Sequence, residues 1–283
     1  MNEFEKYRKN VTSQYGEDGI IEEIFNRLGT ENPICIEFGA WDGKYLSNVW
    51  NLWNNKGWKA LLIEGQTDRA NSLSESIKNL KDVAVVNTFV TPAGNESLDN
   101  IVKRTAIKAN VDLLSIDIDG NDYYIFESLV LKPRVVIIEY NPTIPPHLEI
   151  VQSQGEFFGA SARALLNLAH SKNYKLAAIT DTNLFFVNSD EFEKLRIEEL
   201  DLARSFPGTH LTYVYSSYDG RLFVDKKPPY LYSMDKLEEF KDKNSTIKSS
   251  LKKMLRIEKK GKIKNHPGIE TDTEKIPVYI FRD

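Results

Sequence analysis

Four stretches of the chain place acids or glycines where an apolar run ends. The first is Ile34-Cys35-Ile36-Glu37-Phe38-Gly39-Ala40-Trp41-Asp42-Gly43. An apolar run here enters a tight turn with two glycines, and glycine lets a backbone pass close to a ligand. N–H groups at the start of a following helix favour a carboxylate or phosphate. The spacing differs from the Gly-x-Gly-x-x-Gly pattern of dinucleotide sites. The second is Leu61-Leu62-Ile63-Glu64-Gly65. Its acid lies roughly 20 residues beyond the glycines, where a carboxylate can accept hydrogen bonds from both hydroxyls of a ribose. The third is Ser115-Ile116-Asp117-Ile118-Asp119-Gly120-Asn121-Asp122. Alternation along a strand puts Asp117 and Asp119 on one side, as general bases or ligands to a hard cation. Asn121 and Asp122 also suit a helix cap. The fourth is Ile137-Ile138-Glu139-Tyr140-Asn141-Pro142. Glu139 either completes a carboxylate metal site with Asp117 or Asp119, for a divalent ion such as magnesium, or is a buried acid bonded to loop backbone. His147 and His170 are further candidate bases, and His210 and His266 have no motif around them.

These residues need elements that bring them to one place. Strands are expected at 33–38, 59–63, 83–90, 111–118 and 134–140, as nearly continuous apolar runs. Such runs fit strands buried on both faces. Helices are expected between them at 46–55, 68–80, 98–108 and 123–131, and before them at 17–28, from apolar residues at helical spacing. Strand and helix in alternation specify a parallel sheet covered on both sides. All the chemistry-bearing acids then fall at the carboxyl ends of strands, on one edge of the sheet. After a proline-rich loop, Asn141-Pro142-Thr143-Ile144-Pro145-Pro146, a helix at 160–171 and two strands at 174–179 and 184–187 suit an antiparallel hairpin.

The molecule as a whole excludes several classes. Its 283 residues are 41% hydrophobic and 28% charged, with a formal charge of −4. That composition is globular, and the charge offers no general field for nucleic acid. One cysteine, Cys35, excludes an intramolecular disulfide and a multi-cysteine zinc site. A reducing, cytoplasmic location is expected, with neither a secretory start nor a transmembrane run.

In order along the chain, Ser13-Gln14-Tyr15-Gly16-Glu17-Asp18-Gly19, Ile36 to Gly43, Leu62 to Gly65, Ile116 to Gly120 and Asn183-Leu184-Phe185-Phe186-Val187 resemble the FkbM-like family of S-adenosylmethionine-dependent O-methyltransferases. The resemblance covers roughly residues 10–190. It implies a Rossmann-like class I methyltransferase fold: a seven-stranded, mostly parallel sheet with helices on both faces, here with an α+β extension at the C-terminus. It also implies that Gly39 and Asp42 line the cofactor, with Glu37 and Ala40 beside them. Glu64 holds the ribose, Gln14 closes over the site, and Ser47 and Asn48 reach the methionine end. Phe89 and Asp117 complete the expected cofactor set. The family's fourth-strand motif resembles Asp-Val-Glu-Gly, so Asp119 here stands where a glutamate is usual.

Residues 1–190 are thus expected to form the cofactor-binding core with a helical N-terminal segment. Residues 191–283 are expected to form an extension that contacts the acceptor. The expected reaction is methyl transfer to a hydroxyl of a sugar, such as a nucleotide-sugar or polysaccharide precursor. Asp117, His147 or His170 would take the proton, or a metal would lower the hydroxyl pKa. The competing reading is a non-catalytic module of this fold. It would use the basic stretch Lys241 to Lys264, with ten Lys or Arg against two acids, to contact a partner or an anionic membrane. Monomer and homo-oligomer are both compatible with the sequence.

Overall fold

The computed structural model describes residues 2–107, 110–118, 120–216, 218 and 222–224. Seven strands form one sheet: β1 (Ile34–Phe38), β2 (Lys59–Glu64), β3 (Val83–Asn87), β4 (Leu113–Ile116), β5 (Val135–Glu139), β6 (Tyr174–Ile179) and β7 (Asn183–Asn188). Their order is β3-β2-β1-β4-β5-β7-β6. The first five are parallel, while β7 runs antiparallel to both β5 and β6. The helices are α1 (Glu17–Leu28), α2 (Trp50–Asn55), α3 (Thr67–Ile77), α4 (Leu98–Arg104), α5 (Asp122–Ser128) and α6 (Ala162–Ser171).

The apolar strands divide their side chains between two cores, as a period of two requires. Ile36, Phe38, Leu61, Ile63, Leu114, Ile116, Val136 and Ile138 pack on one face beneath α4, α5 and α6. Cys35, Ala60, Leu62, Leu113, Val135 and Ile137 pack on the other, beneath α1, α2 and α3. Burial on both faces explains why these strands lack the polar alternation of a half-exposed sheet. The expected seven-stranded, mostly parallel sheet with helices on both faces is therefore the observed one.

Element ends differ from expectation in ways that matter for the site. The helix expected from Leu46 begins only at Trp50. Leu46 has φ +56°, outside the helical range, and the side chain of Ser47 accepts from the N–H groups of Val49 and Trp50 at 3.2 and 3.0 Å. These residues form a loop that ends in a cap. The fourth strand, expected over 111–118, closes at Ile116, which leaves Asp117 in the loop beyond it.

The first compact unit runs from Met1 to Thr209, and the second begins at His210. Phe192 and Leu195 join one core, Leu200 and Leu202 the other. In the second unit the described residues form an antiparallel pair, β8 (Val214–Ser216) with β9 (Leu222–Val224). The basic stretch Lys241 to Lys264 lies outside the described residues. Among the described residues no helix is long and apolar enough to cross a membrane.

Candidate functional site

Parallel strands put the C-terminal ends of β1, β2, β4 and β5 on one edge, and the chain changes direction across the sheet between β1 and β4. Such a switch point leaves a crevice for a ligand. Gly39 opens it. This residue has φ +79°, and a methyl group there would run into the carbonyl oxygen of Asp117. Only glycine satisfies both conditions without strain. The N–H groups of Gly39 and Ala40 donate to the Ile63 carbonyl at 3.1 and 3.2 Å. The glycine turn is thereby laced to the end of β2 on one side and pressed against the end of β4 on the other.

Glu64, buried at the end of β2, is the acid beside this turn. One of its carboxylate oxygens accepts from Trp41 N–H at 2.8 Å and the other from Gln66 N–H at 2.7 Å. An ionised carboxylate has about four acceptor sites, so these two bonds orient the group and leave acceptor capacity. Trp41 has φ +48°, and the Arg69 guanidinium lies 3.9 Å from its ring centroid. Asp42 turns the exposed loop by accepting from the N–H groups of Lys44 and Tyr45 at 2.9 and 2.7 Å. Beyond β3, the Phe89 ring lies against the Gly65 backbone while remaining 69% exposed.

Four of the residues expected to touch the cofactor turn their side chains inward. Glu37 is buried on β1. It accepts from Ser47 Oγ at 2.6 Å and from Asn48 N–H at 2.9 Å. Asn48 in turn donates its side-chain amide to Ser115 Oγ on β4 at 3.1 Å. Burial pushes the Glu37 carboxyl up to about 7, against the pull of the Ser47 and Asn48 bonds, and the charges of Asp117 and Asp18 push the same way. Glu37, Ser47 and Asn48 thus pin the loop to the sheet, and Ala40 packs in the core.

The N-terminal segment reaches the same loop. Asp18 accepts from the N–H groups of Val11, Thr12 and Ser13 at 2.8, 2.9 and 2.9 Å. Thr12 Oγ donates to the Ser47 carbonyl at 3.1 Å. Buried Glu17 accepts from Thr180 Oγ at 2.7 Å, which ties α1 to the β6–β7 hairpin. Gln14, exposed between these anchors, bonds to the Tyr15 hydroxyl at 3.2 Å. The Ser13–Gly19 motif holds Asp18 and Glu17, but nothing in the acids themselves signals that one binds the neighbouring backbone and the other a distant threonine hydroxyl.

On the β4 and β5 side, Asp117 is exposed just past β4, and Glu139 is half-buried at the end of β5. His147 is exposed on the loop that follows β5. His170 is elsewhere. It closes α6 just before β6, whose first residue Tyr174 pairs with Asn188 at the far end of β7. That places it at the edge where the parallel strands begin, and its Nε2 lies 2.6 Å from Glu199. The direction of β6 thus carries His170, a candidate base in the sequence, to the edge opposite the glycine turn. Asp119 lies outside the described residues. Among the described residues no three His, Cys, Asp or Glu side chains are grouped to hold a metal.

A sheet of this order, with a glycine turn after β1 and an acid after β2, defines a Rossmann-like class I methyltransferase. The model of the FkbM methyltransferase domain matches residues 26–176, more than half of the chain, and the chain belongs to this family of S-adenosylmethionine-dependent methyltransferases. No curated protein matches it significantly in sequence. Similar solved structures include the N-terminal domain of EvdMO1 in the presence of SAH and D-fucose, at 10% identity and a TM-score of 0.42, covering 61% of this chain and 82% of that one. A SAM-dependent methyltransferase from Aquifex aeolicus is 13% identical, with a TM-score of 0.35, covering 58% and 86%. The citrinin polyketide synthase CMeT domain is 11% identical, with a TM-score of 0.41, covering 61% and 51%.

Proposed function

We propose that the protein transfers the methyl group of S-adenosylmethionine to a hydroxyl of a sugar, such as a nucleotide-sugar or polysaccharide precursor. The observation that carries this reading is the division of the sheet edge into two halves. A glycine turn and a held carboxylate stand over β1 and β2, and acids stand over β4 and β5. The donor half fits the cofactor by its chemistry. Glu64 keeps acceptor capacity for two ribose hydroxyls, and exposed Phe89 offers an apolar face for the adenine. The Asp42 turn and Gln14 border the methionine end.

When bound, S-adenosylmethionine supplies an electrophilic methyl group. The chain's own part is to align the acceptor oxygen and take its proton. Asp117 is the base in this reading. It sits at the junction of the two halves, where its backbone touches Gly39 and its side chain faces solvent. His147, on the loop after β5, is the alternative proton acceptor. Because alcohols are weak acids, either base acts as the methyl group transfers, not before it.

The test is methyl transfer from S-adenosylmethionine to a panel of sugars and nucleotide-sugars, comparing wild type with Asp117→Asn and His147→Ala. Loss of turnover with cofactor binding intact in Asp117→Asn assigns the base. Full turnover in both variants removes both residues from the mechanism.

A further inference from the structure

Two adjacent phenylalanines, Phe157 and Phe158, stand 84% and 45% exposed on a loop after β5. Exposed rings side by side are unfavourable in water. The loop is nevertheless tightly built. Its base closes where Ser161 N–H donates to the Ile150 carbonyl at 2.8 Å and Ile150 N–H donates to Ser161 Oγ at 3.0 Å. Inside it, buried Gln152 donates to the Glu156 carbonyl and accepts from Gly159 N–H. Two further bonds fix it to both acidic strand ends. Asn121 at the start of α5 accepts from Gly155 N–H at 3.0 Å, and Asn141 just past β5 donates to the Phe158 carbonyl at 2.6 Å. The Phe157 ring comes within 3.7 Å of where a Cβ on Gly120 would lie, three residues beyond Asp117.

A closed loop with ends this near and a packed interior is a compact Ω-like element. Here it presents its apolar groups outward, so its construction serves a surface and not the core. We propose that residues 152–159 form the acceptor platform: Phe157 and Phe158 stack against the apolar C–H face of a pyranose ring, beside the Asp117 and Glu139 carboxylates that accept its hydroxyls. The pairing suits the chemistry of a sugar, which has an apolar ring face and a rim of hydroxyl donors. The proposal rests on the reading of this edge as the methyl-transfer site and names which residues select the acceptor.

The experiment uses the full chain saturated with S-adenosylhomocysteine and 4-fluorophenylalanine placed at 157 or 158. Methyl glycosides of glucose, galactose and mannose, and UDP-glucose, are titrated while the fluorine signal is followed. At least one sugar should shift a signal saturably. The double variant Phe157→Ala/Phe158→Ala should weaken that sugar by about fivefold or more and leave S-adenosylhomocysteine affinity within about twofold, because both rings stand on the loop after β5, away from Glu64 at the end of β2 in the strand order. Unmoved signals with all four sugars, while S-adenosylhomocysteine binds, overturn the platform and leave the methyltransferase reading standing. Shifts with catechol but with no sugar also overturn it, by assigning the loop to an aromatic acceptor. Failure of S-adenosylhomocysteine to bind the folded chain brings down the underlying reading and the platform with it.

Discussion

Glu37 is a carboxylate in the wrong place for a charge, buried at the centre of the sheet and bonded only to the loop it holds. With its pKa at about 7 when folded, against 4.5 ordinarily, the folded state binds its proton more tightly than the unfolded state. Its contribution to stability is therefore complete below about pH 4.5 and is lost as pH rises through 7, amounting to roughly 3 kcal/mol. Glu37→Gln keeps the shape and removes the titration. From pH 4.5 to pH 8, the variant's Tm should gain on wild type by roughly 5–10 °C, and parallel Tm curves would show that Glu37 does not titrate in this range. Glu64 makes the opposite kind of prediction, about binding. If Glu64 accepts from both ribose hydroxyls as proposed, Glu64→Ala should weaken S-adenosylmethionine by about 100-fold or more, since each bond to an ionised group contributes about 1.5–3 kcal/mol. Calorimetric titration of the folded variant measures this directly.

The turn after β1 works because β4 lies close behind it. Gly39 and Gly57 share a positive φ, +79° and +74°, but a methyl on Gly57 would meet nothing within 4 Å while one on Gly39 would strike the Asp117 carbonyl. Gly57→Ala should then cost about 1 kcal/mol in urea unfolding, the backbone term alone, and Gly39→Ala roughly 2–4 kcal/mol. Equal costs would mean that the strand ends are not in contact. This comparison also shows what a sequence can reveal about such elements. The glycine turn, the acid after β2 and the buried strands were legible because each follows from local pattern and period. The late start of α2 was not, because the capture of Ser47 and Asn48 by Glu37 depends on a side chain ten residues away. The placement of His170 was not either, since it depends on the direction in which β6 joins the sheet. The anchoring of the Phe157 loop through Asn121 and Asn141 is likewise tertiary, and its residues carry no periodic signal.

At the scale of the molecule, the proposed donor and acceptor halves both belong to the unit Met1–Thr209, which holds the whole seven-stranded sheet. A fragment of residues 1–209 should accordingly fold with a cooperative thermal transition and bind S-adenosylmethionine within about threefold of the full chain. An unfolded fragment, or one that has lost the cofactor, would show that the second unit completes the site. Whether this sheet edge binds S-adenosylmethionine is decided by calorimetric titration of S-adenosylmethionine into the full chain. Saturable binding in the micromolar range, weakened about 100-fold or more in Glu64→Ala, is the predicted result; folded wild-type protein that takes up no S-adenosylmethionine would contradict it.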